Sequence, residues 1–248
     1  MIPKFNTNSA DERLGKRAGR ISSVLGLILG ANPTIESFTA VEYFDPPLVQ
    51  ERIAGIENTP IFKQGVKMRQ ETLLPFWDSA LAQTLQGSMD AHQIIEAALF
   101  HNTQPEVAHT IEAVNAEKHL DNLLSDEWRG STLALSSRVT LSDGSRRHIP
   151  MLDFHIPANE VTYATVVKCL TSLAVGKFAI VDSGKSFHAY GMSLLDASGL
   201  WDFLSRALLL SPIVDTRYIA HQLRDNQCKL RVAATPRKPT EPRVLGIT

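Results

Sequence analysis

The spacing of hydrophobic residues changes along the chain and divides it into two regions. Before residue 105, apolar residues recur at intervals typical of amphipathic helices, and Pro and Gly residues separate the segments. After Trp128, apolar and β-branched residues form shorter runs typical of strands. The pattern predicts a helical N-terminal region over residues 1–105. Its helical segments include 22–31, 73–81 and 91–100, and a further helix is expected over 105–124.

The region after Trp128 alternates predicted hairpins with helices. Asp143 and Gly144 lie between two strand-like runs, and both tolerate the positive φ of a tight turn, which predicts a β-hairpin. We therefore expect an α+β protein, in which the helical region packs on a domain of antiparallel β-hairpins flanked by helices. This domain is expected over residues 106–235, and the Pro-rich, basic residues 236–248 are expected to form a loose tail. The predicted strands are 131–141, 148–156, 178–182, 187–195 and 229–233, and the predicted helices are 157–174 and 200–210.

Composition narrows the classes of protein that need to be considered. The 248 residues suffice for one large domain or two small ones, and 44% hydrophobic with 21% charged residues is the balance of a globular protein. Because the net charge is −1, any contact with nucleic acid must depend on a local basic patch. Two cysteines exclude a disulfide framework and favour a cytoplasmic location. The apolar run within 22–31 is too short to cross a bilayer, so no membrane association is expected.

Residues 179–186 match the loose form of a phosphate-binding P-loop that ends in Gly-Lys-Ser around Lys185. A P-loop requires a helix directly after this triplet, because the N–H groups at the start of the helix hold the phosphates. Residues 187–191 instead alternate in the manner of a strand, and Asp182 would place negative charge beside the phosphates. A P-loop ATPase is therefore only the third most favoured interpretation of the sequence.

A second pattern combines acidic, imidazole and hydroxyl groups. Alternate residues of a strand share a face, so Asp153 and His155 are expected on the same side of the sheet. Asp215 ends another apolar run, and the three side chains together could form a cradle for Mg²⁺ or Mn²⁺. Ser186 and His188 form a Ser-x-His motif in the second predicted hairpin and could hold a triphosphate.

Cationic residues in the C-terminal segment fit the same interpretation. Arg217 and Arg231 supply the charge that a phosphate site requires. Each residue taken alone also has a structural explanation, since His188 could be an ordinary strand residue, Asp215 a helix cap and Arg231 a surface charge. No single residue indicates a nucleotide site, but the order and spacing of all of them together favour one.

This order of elements and motifs resembles the catalytic core of archaeo-eukaryotic primases and primase-polymerases. The shared layout is a hairpin, an apolar strand ending in Asp-x-acceptor, a helix, a strand, a Ser-x-His strand, a helix and a second apolar-Asp segment. The resemblance covers about residues 130–233, and the chain looks most similar to small, divergent bacterial primase-like proteins of defence or mobile-element loci. The segments that carry it are 149–155, 183–190, 214–221 and 229–232.

The resemblance implies a metal-dependent nucleotidyltransferase that uses nucleoside triphosphates with DNA or RNA as template or acceptor. Asp153 and Asp215 would be the catalytic carboxylates, which bind Mg²⁺ or Mn²⁺ so that the 3′-hydroxyl is activated and the pyrophosphate neutralised. Protein partners encoded in the same locus are also expected. The residues expected to contact the nucleotide are Lys185, Ser186, His188, Arg217 and Arg231.

One position departs from the family pattern. The family usually has a second carboxylate two residues after the first, and this chain has His155 there. A neutral ligand holds a divalent ion less strongly than an anionic ligand does. Three interpretations stay open: an enzyme that prefers Mn²⁺, an enzyme restricted to another nucleotidyl reaction, or a catalytically reduced nucleic-acid or nucleotide-binding component of a bacterial defence complex.

Overall fold

A computed structural model of the chain describes residues 19–44, 47, 49–52, 57–72, 74–85, 87, 91–125 and 131–248. The chain divides into two compact units, one formed by residues 45–104 and the other by residues 1–44 together with 105–248. Helices and antiparallel strands occur together, which confirms the predicted α+β class. The division differs from the expected boundary at residue 105, because residues 19–44 belong to the larger unit.

The first described elements of the larger unit are β1 (Gly19–Arg20), α1 (Ser23–Ala31) and β2 (Ile35–Phe44). Helix α1 agrees with the helix predicted over 22–31, and its buried face carries Val24, Leu25 and Ile28. Strand β2 differs from the helical character expected for this region. No helix within the described ranges is long and apolar enough to span a membrane.

The smaller unit is helical, in agreement with the helical spacing of residues 73–81 and 91–100. Its core is small and is built around Trp77. The Arg52 guanidinium lies 5.1 Å from the centroid of the Trp77 ring and 5.0 Å from that of Phe100, the geometry of a cation–π contact. The helices are α2 (Val49–Arg52), α3 (Pro60–Thr72), α4 (Phe76–Thr84) and α5 (Ala91–Ala98).

The remainder of the larger unit contains most of the strands. The helix expected over 105–124 is wrong in its first half, because residues 106–112 form a strand that pairs with β2 and places Ile111 opposite Phe38 in the core. The elements are β3 (Glu106–Glu112), α6 (Ala116–Leu124), β4 (Ser131–Leu141), β5 (Arg146–His148), β6 (Met151–Asp153), α7 (Glu160–Leu173), β7 (Phe178–Asp182), β8 (Phe187–Gly191), α8 (Ala197–Leu208), α9 (Thr216–Asp225), β9 (Lys229–Arg231) and β10 (Arg243–Ile247).

Two antiparallel sheets organise these strands around one hydrophobic core. The first sheet has the order β1-β10-β7-β8-β6, and the second has the order β3-β2-β4-β5, with β9 also paired to β4. The predicted hairpins are confirmed as β4–β5 and β7–β8. The strand expected over 148–156 is divided between the sheets, and the division falls at Pro150, which has no backbone N–H to continue a ladder.

The C-terminal residues do not form the loose tail expected for 236–248. Strand β10 lies between β1 and β7, and its Val244 pairs with Val181. Val244 is also largely buried, so the pairing contributes an apolar contact to the core. The Pro-rich composition before residue 243 therefore describes a turn rather than the whole segment.

Candidate active site

Strand β6 places Asp153 between two other residues predicted for the site. In the β6–β8 pair, Asp153 lies directly opposite His188. On the other side, a bridge joins Phe154 to Val214, and the Asp215 N–H donates to the Asp153 carbonyl at 2.9 Å, so the two acids are opposed. Directly opposed residues share a face of the sheet, with Cβ atoms about 4.5–5.5 Å apart. His188, Asp153 and Asp215 therefore form one row, which we call the catalytic row after the role expected of these residues from the sequence.

The environment of the Asp153 carboxyl disfavours its charged form. Burial, followed by repulsion from Asp215, raises the pKa of Asp153 to about 7, although the positive charges of Lys238 and Arg231 act in the opposite direction. A quarter of the side chain, 25%, is nevertheless exposed, so a ligand can reach it. A cation bound beside the two carboxylates would relieve their repulsion and favour the charged form.

The His188 imidazole is buried and neutral. Its Nε2 lies 3.8 Å from Oδ1 of Asp153, which is too long for a hydrogen bond, and its Nδ1 has no hydrogen-bond partner among the residues that the structure describes. Burial, with the charges of Lys238 and Arg231, lowers the pKa of His188 well below its ordinary value. A buried ring nitrogen without a partner calls for an explanation.

Asp215 combines a structural role with its place in the catalytic row. It is the N-cap of α9, and its Oδ1 accepts hydrogen bonds from the N–H groups of Arg217 and Tyr218, each at 2.9 Å. The helix-cap interpretation is therefore confirmed. Because a carboxylate offers about four acceptor sites, the cap bonds orient Asp215 and leave capacity for a cation.

The turn between β7 and β8 carries the hydroxyl and lysine of the Gly-Lys-Ser triplet. The Ser186 hydroxyl donates to the carbonyl oxygen of Phe154, which fastens the turn to the strand that carries the catalytic row. The Ser183 N–H donates to the Ser186 carbonyl at 2.9 Å and closes the turn. Lys185 lies exposed at its tip. Strand β8, not a helix, follows this turn, so the P-loop interpretation is contradicted.

Arg231 is a buried residue that links separate segments by hydrogen bonds, and it is not the surface charge that the sequence also allowed. It is only 5% exposed, and its guanidinium donates to the carbonyl oxygens of Ser183 at 2.7 Å, Thr240 at 3.0 Å and Ala233 at 2.5 Å. These bonds join the β7–β8 turn to the segment that follows β9. The charge of Arg231 also lowers the pKa of Asp153, so it acts on the catalytic row from within the fold.

Lys238 is a site residue that the sequence did not predict. It lies in a tight turn in which the Thr235 N–H donates to the Lys238 carbonyl at 2.9 Å and the Lys238 N–H donates to the Thr235 carbonyl at 3.0 Å. Its positive charge lowers the pKa of both Asp153 and His188, so it acts electrostatically on the catalytic row. In the sequence, Lys238 is one more basic residue of a Pro-rich segment, and only the fold distinguishes it.

The predicted three-residue metal cradle is not found. Across the described ranges, no group of three or more His, Cys, Asp and Glu side chains is arranged to hold a metal ion. His155 lies beyond the end of strand β6, and its N–H donates to the Ile213 carbonyl at 2.8 Å. The opposed carboxylates of Asp153 and Asp215 do fit Mg²⁺ or Mn²⁺, because such ions are often held by one or two carboxylates together with substrate phosphates and water.

The fold and the catalytic row define an α+β protein with two opposed carboxylates and a Ser-x-His strand. The sequence matches the family described as archaeo-eukaryotic primase 1D-like (AEP-like) over residues 113–243, more than half of the chain. The chain therefore belongs to this family, and the match includes every residue of the catalytic row. Neither the comparison with curated proteins nor that with solved structures found a match.

Proposed function

We propose that the protein is a metal-dependent nucleotidyltransferase of the primase-polymerase type. It would transfer nucleotides from nucleoside triphosphates to a DNA or RNA acceptor. The catalytic row is the observation that supports this proposal most strongly, because it brings together two carboxylates and a Ser-x-His imidazole from three separate segments. Membership of the primase family supports the same class of reaction.

Asp153 and Asp215 are the proposed ligands of Mg²⁺ or Mn²⁺. When bound, the cation would supply charge neutralisation at the triphosphate and activation of the attacking 3′-hydroxyl. The protein contributes two negative charges at a fixed separation, because backbone hydrogen bonds hold the segments of Asp153 and Asp215 together. The N-cap bonds orient the second carboxylate before any ligand arrives.

The cationic and imidazole groups around the catalytic row are proposed to bind the triphosphate. His188 is neutral and can donate a hydrogen bond to a phosphate oxygen, while Lys238 supplies positive charge. Lys185 is exposed on the β7–β8 turn and is a weaker contact. Ser186 positions this turn through its bond to Phe154, the residue that follows β6. Arg217, in the first turn of α9, is proposed as a supporting phosphate contact.

The second candidate function is a catalytically reduced protein that binds nucleotides or nucleic acid within a bacterial defence complex. The observation that favours it is the presence of His155 where the family usually has a carboxylate, together with the lack of a three-residue metal group in the described part of the chain. With two carboxylates alone, the site would hold one cation rather than two.

The test is incorporation of labelled nucleotides on primed and unprimed templates with Mn²⁺ or Mg²⁺. We expect incorporation by the wild type and its loss in Asp153→Asn. The matched control is Asp202→Asn, because the Asp202 side chain is 71% exposed on α8. Binding of nucleotide or oligonucleotide without incorporation under either metal would contradict the enzyme and favour the reduced protein.

A further inference from the structure

A polar cavity lies on the sheet that does not carry the catalytic row. It has a volume of about 320 Å³. The β4–β5 register explains its composition, because Thr140 pairs with Arg146 and Arg138 lies two residues earlier on the same strand. We call this cavity the arginine hollow. Its polar lining consists of Thr39, Glu106, Arg138, Thr140, Arg146 and Gln227.

The hollow carries two positive charges that no acid of the described chain neutralises. Arg138 and Arg146 are both exposed, and neither forms an ion pair with any residue that the structure describes. The carboxylate in the lining, Glu106, is already occupied, because its Oε1 lies 2.5 Å from Nζ of Lys229. The positive charge of the hollow is therefore available to an anion from solution.

The other polar groups of the hollow also favour an anionic ligand. The Gln227 Oε1 accepts a hydrogen bond from the Ser136 hydroxyl at 3.2 Å, which leaves the amide NH₂ as a donor. The hydroxyls of Thr39 and Thr140 can donate as well. Two guanidinium groups with further donors are the arrangement that recognises phosphate oxygens.

The residues that line the hollow favour contacts with the phosphate backbone of a nucleic acid over contacts with its bases. No aromatic residue lines the hollow within the described part of the chain, so bases have no side chain on which to stack. The contacts would be with phosphates, and binding would be independent of sequence. Because the net charge of the protein is −1, nucleic acid must be held by a local patch of this kind.

The segment 227–231, which ends in β9, connects the hollow to the candidate active site. Gln227 lines the hollow, and four residues later the Arg231 guanidinium reaches the β7–β8 turn beside the catalytic row. Four residues of extended chain span at most about 13 Å, a distance that a single nucleic-acid strand covers in a few nucleotides. A strand engaged at the catalytic row can therefore reach the hollow within a few nucleotides.

We infer that the arginine hollow binds the phosphate backbone of the single-stranded nucleic acid that serves the Asp153–Asp215 site. This inference rests on the proposed function, since it assigns a path to the template or acceptor strand. Binding is electrostatic and without base preference, and Arg138 and Arg146 are its principal contacts.

The experiment measures fluorescence anisotropy of labelled oligo-dT and oligo-U at several salt concentrations, without nucleotide. The variant combines Arg138→Gln with Arg146→Gln. The control combines Arg147→Gln with Lys177→Gln, which removes the same charge from a different cavity of the same unit. Thermal unfolding of each protein confirms that it is folded. The two oligonucleotides distinguish DNA from RNA as the bound strand.

Affinity falls as salt increases, and the loss of two phosphate contacts should make the slope of log affinity against log salt less steep by about 1.4. Binding at low salt should weaken roughly 10- to 60-fold. The control should bind as the wild type does. An equal loss in both variants, no loss in the Arg138/Arg146 variant, or no binding of either oligonucleotide by the wild type would overturn the inference.

The same variants separate this inference from the proposed function. If the wild type incorporates nucleotides and the Arg138/Arg146 variant binds oligonucleotides normally, the role of the hollow in strand binding is refuted and the proposed nucleotidyltransferase activity is supported. If the Arg138/Arg146 variant alone loses oligonucleotide binding and no protein incorporates nucleotides with any metal, strand binding by the hollow is supported and the proposed nucleotidyltransferase activity is refuted.

Discussion

Asp153 and Asp215 face each other across the bridge between Phe154 and Val214, and a backbone hydrogen bond of 2.9 Å joins the two acidic residues directly. The backbone, rather than a contact between side chains, sets their separation. Repulsion between the carboxylates persists in the ligand-free protein and contributes to raising the pKa of Asp153 to about 7. The site is therefore arranged for a cation before one binds.

The raised pKa predicts that Asp153 makes the ligand-free protein less stable as pH increases. The ordinary pKa of this carboxyl is 3.8 and its folded-state pKa is about 7, so the folded state binds the proton more tightly. The stabilisation is fully present below the unfolded-state pKa and is lost as pH rises through the folded-state pKa. Asp153→Asn should exceed the wild type in free energy of unfolding at pH 8 by up to about 4 kcal/mol, and far less at pH 4. Urea unfolding at both pH values measures this, and an equal difference at both would refute it.

The same pKa predicts that divalent cations compete with a proton at Asp153. The cation requires the charged carboxylate, so its affinity should weaken as pH falls below the pKa of about 7. Affinity for Mn²⁺ should be about tenfold lower at pH 6 than at pH 8, as expected for a single competing proton. Calorimetric titration at the two pH values tests this. The prediction fails if affinity is independent of pH, or if Asp153→Asn binds Mn²⁺ as the wild type does.

Replacement of His188 by Leu separates a ligand contact from a structural role. Leu places an apolar side chain in the buried position and removes the ring nitrogen that lacks a hydrogen-bond partner among the described residues. We expect the melting temperature to be maintained, while nucleotide affinity falls about 10- to 100-fold, the effect of losing one hydrogen bond to a charged group. Affinity for Mn²⁺ alone should not change. A purely structural histidine would show the reverse, with lower stability and unchanged nucleotide affinity.

Lys238 and Lys185 form a matched pair, since both are exposed lysines and only Lys238 acts on Asp153 and His188. Lys238→Ala should weaken binding of a fluorescent nucleoside triphosphate about tenfold, the effect of one charge-assisted contact. Lys185→Ala should have a smaller effect. A larger effect at Lys185 than at Lys238 would contradict the assignment of Lys238 to the site.

The residues of the catalytic row could be predicted from the sequence because each belongs to a local motif. Asp153 ends an apolar strand, His188 follows Ser186 by two positions, and Asp215 ends a second apolar run and caps a helix. The order of such motifs predicts that they meet in space. Their distances and the direction of their pKa shifts depend on strand register, which the sequence did not supply.

Strands β3 and β10, which the sequence did not predict, are defined by pairing between segments that are distant in the chain. Residues 106–112 contain three β-branched residues, Val107, Thr110 and Ile111, but their spacing and the preceding Pro105 also fit a helix, and pairing with β2 decides for a strand. Strand β10 has only five residues after a Pro-rich segment, and its place beside β7 comes from contacts across more than sixty positions. The contribution of Lys238 follows from the same long-range arrangement.

The catalytic row as a cation and nucleotide site is tested most directly by a crystal structure with Mn²⁺ and a non-hydrolysable nucleoside triphosphate. Anomalous scattering from manganese locates the ion independently of the protein coordinates. We predict an anomalous peak between the carboxylates of Asp153 and Asp215, with the triphosphate beside His188 and Lys238. A bound nucleotide with manganese elsewhere, or with neither carboxylate as a ligand, would contradict the account.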